Sequence, residues 1–215
     1  TSLSGSTAVA GNGAGDGTGG EAAGGGLFLQ GSGNLVLRTT TTVSGDQVIP
    51  RVITIDDDIS DAFGAGLAGA NPFDRWNLIV TGGGVLRLAG NNSYSGDTYV
   101  TDATLYVDHD YNLGIGSGIL VFDGGGLGLG NGLDMARDMI VNSGGAHFAV
   151  DTGLAATLSG NLTGAGEVTK VGAGTLLLAN TTAFDGDWRV REGTLALDSD
   201  AALGASQLWL DGGGI

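Results

Sequence analysis

The chain has no cysteine, only two prolines, and a single lysine, Lys170, beside seven arginines in 215 residues. Without cysteine there is no disulfide framework, no thiolate metal site and no cysteine nucleophile, so the fold must hold itself by its core. The few cations face 23 acidic residues, giving a net charge of −15. That balance leaves no basic patch to neutralise phosphates, which argues against a nucleic-acid partner and against an anionic membrane surface. No run of about 18 apolar residues could cross a bilayer as a helix, so no membrane insertion by this segment is expected. No basic, apolar leader opens the sequence at Thr1. It reads as either a cytosolic protein or a piece of a larger exported one, and a strand signal close to Ile215 favours the latter.

What the chain has in abundance is glycine, 44 residues of it, without the every-third spacing of collagen. Short Leu, Val and Ile runs lie between the glycines, so this is a chain that turns often rather than a disordered one. A phrase recurs in it. Gly84, Leu86 and Leu88 are followed by Ser95, Gly96, Asp97 and Val100, and Gly174, Leu176 and Leu178 by Asp185, Gly186, Asp187 and Val190. A first copy reads Gly33, Leu35, Leu37, then Ser44, Gly45, Asp46 and Ile49. Between the later copies the match continues through Leu105/Leu195, Val107/Leu197, Asp108/Asp198 and Asp110/Asp200 to Leu113/Leu203. Internal repetition over such a length points to stacked supersecondary units.

Within a copy the alternation has period two: Leu86 and Leu88 on one side with Arg87 on the other, then Leu105 and Val107 opposed to Tyr106. The separations Leu86 to Leu105 and Val100 to Leu120 are close to one coil of a β-solenoid of three short strands. Glycines such as Gly82, Gly84, Gly96 and Gly114 are expected at its corners. The helical spacing of Leu133, Ala136, Met139 and Ile140 leaves a short helix as an alternative to strands there. Residues 1–26 read as a Gly/Ser-rich loop or frayed cap, and 27–215 as coils with repeats starting near 33, 84 and 174.

The stretch Gly82 to Gly96, continuing to Val107, resembles the passenger-associated transport repeat of Gram-negative autotransporters, and so does Leu158 to Leu178. The resemblance implies an all-β, right-handed parallel β-helix, a fragment of a longer passenger. It also implies an extracellular or cell-surface location, with anchorage to the outer membrane through the protein's own C-terminal β-barrel, absent from this chain. Such repeats act as a folding and secretion aid and as a stalk.

For chemistry, the pairs Asp56/Asp58, Asp108/Asp110 and Asp198/Asp200 follow inward strand residues. They suit turn capping, with calcium ligation as the alternative. Gly13 to Gly17 is weakly similar to a calcium-binding repeat but lacks its period. No catalytic or cofactor-binding constellation emerges: His109 and His147 lack partners at a recognisable spacing, and the arginines join no acidic motif. An enzymatic role is therefore not expected. Tyr99, Tyr106 and Tyr111 fall in one repeat and suggest a patch that could bind a host glycan or protein, or a second copy of the chain.

Overall fold

The computed structural model describes residues 2–3, 26–130, 132–180, 183–203 and 205–215. The loop or cap expected over 1–26 and the Gly13 to Gly17 stretch lie almost wholly outside these. The chain winds as a parallel β-solenoid whose strands stack into a nine-stranded sheet, a seven-stranded sheet and a four-stranded sheet. One coil in its C-terminal half runs Leu162–Gly164, Val168–Val171 and Thr175–Leu178, one strand on each sheet. In the preceding half the third side is irregular. Thr98–Thr101 turns sharply into Thr104–Val107, and the chain returns through a 3-10 turn, Asp110–Leu113.

Alternation does what the sequence suggests: along Val85–Leu88, Thr104–Val107 and Thr175–Leu178 every second side chain is buried. Stacking in register turns those side chains into ladders. One runs Ile53, Leu86, Leu105, Leu127, Phe148 and another Leu35, Leu78, Thr98, Leu120, Met139, Leu162. Each fully buried aliphatic rung contributes roughly 1.5 to 3 kcal/mol of apolar transfer. That gain comes from the neighbouring coil rather than from the coil itself. The segment with helical spacing forms two short strands, Asp134–Met135 and Met139–Val141.

Three details differ from the sequence reading. Leu105 stands on Leu86 as the 19-residue spacing requires, but Val100 stands on Phe122 rather than near Leu120. The intervening 3-10 turn lengthens that coil to 22 residues, since Thr98 pairs with Leu120. In the first copy, Gly33–Arg38 pairs with Trp76–Thr81, so Leu35 and Leu37 stand on Leu78 and Val80. The residues aligned with Leu86 and Leu88 are Ile53 and Ile55. Ser44, Gly45 and Asp46 sit at the end of an antiparallel hairpin, Thr41–Ser44 with Gln47–Pro50, whose Val43 and Val48 are exposed. Gly45 takes φ +63° there, a conformation a hairpin turn demands and glycine accepts freely.

Candidate functional site

The repeat residues singled out in the sequence are architectural. Leu86, Leu88, Leu105, Val107, Leu176, Leu178 and Leu195 are all buried, while Leu35, Leu37 and Leu197 pack against the core from partly exposed positions. Gly96 and Gly186 answer to a close approach: a Cβ on Gly96 would lie 2.5 Å from Trp76 O, and one on Gly186 would collide with Gly166 O. The Asp that follows each has a matching task. Ile119 N–H donates to Asp97 Oδ1 at 3.0 Å, and Gln207 N–H to Asp187 Oδ1 at 3.1 Å. Asp58, Asp123 and Asp138 likewise accept backbone amides of Asn91, Gly144 and Asn161. Every one of these acceptors reaches an amide later in the chain. Five of the 23 acidic residues thereby join one coil to a later one.

Of the acid pairs expected to cap turns at strand ends, Asp58 does accept from a backbone amide, but from that of Asn91, 33 residues further along the chain, rather than from a nearby turn. Asp108 and Asp110 instead bind Arg87 and Arg137. The side chain of Asp200 lies outside the described residues. No group of three or more His, Asp or Glu side chains able to hold a metal occurs among the described residues.

Three polar anchors escaped the sequence reading. Asp61, fully buried, accepts from Gly64 N, Trp76 N, Ser95 N and Ser95 Oγ at 2.7 to 3.1 Å. Arg137, 4% exposed, donates to the Asp110 carboxylate and to the carbonyls of Asp110, Gly114 and Ile115. It clamps the long return loop. Lys170 points into the core on the rung between Phe148 and Val190. The ammonium donates to the carbonyls of Val171, Gly172 and Glu192. Burial holds it below the ordinary lysine value, a shift the nearby Glu192 charge opposes. Alternation from Val168 would have placed Lys170 inward.

The three tyrosines do not form one patch. Tyr99 lies outward on the seven-stranded sheet, in the apolar line Val36, Ile79, Tyr99, Val121, Ile140. Tyr106 lies on the nine-stranded sheet beyond the corner, where Asp102 takes φ +52°. Its ring covers the space left by Gly128 and carries the Arg87 guanidinium 4.8 Å from its centroid. Tyr111 stacks on His109 at 4.7 Å with 19° between the planes. Beside them a cleft of about 500 Å3 is lined by Arg87, Ala89, Asp108, His109, Tyr111 and Asn112. Its buried residue Asn112 is turned to the backbone: its side-chain oxygen accepts from Asp108 N and His109 N, and its amide donates to Gly90 O.

A second cleft, of about 390 Å3, gathers Ser143, His147 and Glu167. These are the residue types of a hydrolytic triad, but the histidine and the glutamate are otherwise engaged. His147 Nε2 lies 2.8 Å from Thr104 Oγ1, and the Glu167 carboxylate pairs with Arg189. Burial lowers the His147 pKa from its ordinary value.

Comparison with known proteins places these coils among relatives. The passenger-associated transport repeat family matches residues 78–107 and 168–197. The adhesin BmaC autotransporter of Brucella suis biovar 1 (strain 1330) is 39% identical over 136 residues, covering 63% of this chain and 4% of that protein. The chain thus corresponds to a small part of that relative's length. No solved structure matches.

Proposed function

We propose, from the premise that this chain is a segment of an autotransporter passenger carrying passenger-associated transport repeats, that it is a non-enzymatic scaffold. In this reading its coils promote folding and outward movement during secretion, and afterwards serve as a surface stalk. The passenger identity implies an extracellular or cell-surface location and a C-terminal translocator barrel as partner; anchorage of this protein by that barrel is part of the proposal. One observation carries the reading: stabilising ladders and carboxylate to amide links run from each coil to the next. Such a stack can nucleate locally and grow coil by coil, each addition favourable, with no external energy source.

The test is surface exposure of an N-terminal epitope in the full-length precursor, with residues 84–215 present or deleted and the barrel retained. Loss of exposure with an assembled barrel is the expected result. Normal exposure in the deletion would overturn the secretion role. A second reading, adhesion or self-association, is favoured by the adhesin name of the relative and by the outward aromatic and apolar side chains.

A further inference from the structure

We infer that the cleft bounded by Arg87, Asp108, His109 and Tyr111 is a binding site for an uncharged hexopyranoside, such as the terminal sugar of a glycan. This deepens the adhesive reading and depends on it. Three observations carry the inference. The Tyr111 ring is 48% exposed, lines the cleft, and is backed on one face by the His109 imidazole. A rigid, exposed aromatic face suits the C–H face of a pyranose, as it suits other flat amphipathic surfaces, at little cost in side-chain entropy.

Polar groups stand beside that ring in a fixed arrangement. Arg87 is held between Asp108 and the face of Tyr106. The contact with Asp108 uses Nη2 alone, and a guanidinium has five N–H donors. Neighbouring donor and acceptor groups of this kind match the vicinal hydroxyls of a sugar. Asn112 keeps the turn in place while spending its own side-chain hydrogen bonds on backbone.

The charges decide the class of ligand. Arg87 is paired with Asp108 and Arg137 with Asp110. A carboxylated or sulfated sugar would have to break a pair or face a carboxylate, whereas a neutral polyol bridges the pair without displacing either member. The volume of about 500 Å3 accommodates a small ligand with room for a linked residue.

The test is NMR titration of the purified 215-residue chain with methyl β-D-galactopyranoside, methyl α-D-mannopyranoside and N-acetylglucosamine, with N-acetylneuraminic acid as the charged comparison. At least one neutral sugar should perturb the amides of His109 to Asn112. Its dissociation constant should be on the order of 1 mM, as ordinary ligand efficiency gives for about a dozen heavy atoms. Tyr111→Ala should weaken binding about tenfold or more, and Arg87→Gln should weaken it with the Tyr111 stack intact. Unchanged far-UV circular dichroism would show that both variants fold. Silence at these amides for every neutral sugar, preference for N-acetylneuraminic acid, or binding indifferent to Tyr111→Ala would each overturn the site. Adherence to host cells that persists in Tyr111→Ala would also overturn it while leaving the adhesive reading standing; loss of adherence together with sugar binding would support both.

Discussion

Residues 78–107 and 168–197 match the same repeat family, yet they are laid on different sides of the rod. In the first, strands alternate between the seven-stranded and nine-stranded sheets. In the second, they lie mainly on the nine-stranded and four-stranded sheets, with Ala183–Phe184 adding a short strand to the seven-stranded sheet between them. Leu78 is stacked beneath Thr98, Leu120, Met139 and Leu162, four coils on, and its sequence counterpart Val168 occupies the next sheet round. The repeat is thus a corner with two strands and a return loop, and it fits whichever corner the count of residues delivers it to.

The two copies secure the same loop by different chemistry. Tyr94 and Thr98 share a buried hydroxyl contact of 2.7 Å. Phe184 and Trp188, at the matching positions, meet edge to face with centroids 6.1 Å apart, and Phe148 extends the aromatic group at 6.2 Å from Trp188. The buried Trp188 indole N–H has no hydrogen-bond partner among the described residues, a cost of roughly 1 to 3 kcal/mol that apolar packing must offset. Val80 in the first copy has Lys170 as its sequence counterpart in the second.

The comparison breaks most visibly at the core. Leu105→Asp should cost about 4 kcal/mol or more, because Leu105 is fully buried between Leu86 and Leu127. Leu195→Asp should cost less, since Leu195, though equally buried, lies on the strand that ends the four-stranded sheet and is stacked on Leu176 from one side. Urea denaturation of the two variants ranks them, and equal losses would argue that the copies are energetically alike. Next in size, Gly96→Ala and Gly186→Ala should each cost about 2 to 3 kcal/mol by driving a Cβ into the preceding coil. A drop in melting temperature for both would show the shared turn to be set by close approach.

Exchange of the divergent pair should show opposite responses to alkali. Burial lowers the Lys170 pKa, so between that lowered value and 10.5 the unfolded chain binds more protons and stability rises with pH. Burial raises the Tyr94 phenol above its ordinary 10.0, so above that value the unfolded chain deprotonates first and stability falls. Lys170→Val should abolish the rise and Tyr94→Phe should reduce the fall, the latter also losing about 1 kcal/mol at neutral pH with the Thr98 contact. Tyr106 is raised in the same direction as Tyr94 and leaves part of the fall in place. Denaturation midpoints followed across the alkaline range would read both. Smallest of all, Tyr106→Ala should cost about 1 kcal/mol or less, because the ring lies on the outer face, over Gly128 and beside Arg87.

Strands and their buried sides were legible because burial imposes a period of two, as Leu86, Leu88, Leu105 and Val107 show. Which sheet a strand joins was not. The motif Gly-x-Leu-x-Leu is satisfied by any inward strand, so Gly33–Arg38 looks like a copy of the Gly84 strand but stands on the one before it. Tyr99 and Tyr106 were separated by a tight corner at Asp102, a residue type that does not announce a left-handed backbone as glycine does. Arg137 was hidden in a segment with helical spacing, and its partner Asp110 lies 27 residues away, beyond the reach of a local pattern.

The forward-reaching carboxylates give the rod a sense of direction. Asp58, Asp97, Asp123, Asp138 and Asp187 each hold an amide from a later stretch of chain. The two ends of any partly built stack are therefore chemically unlike, one offering acceptors to a newcomer and the other offering donors. A coil docking at the donor end brings its own negative charge to backbone amides already fixed in place. A coil docking at the acceptor end must bring its amides to charges already fixed. Assembly and peeling from the two ends should then respond differently to salt and acid, an asymmetry that a single-molecule pull from each terminus would register.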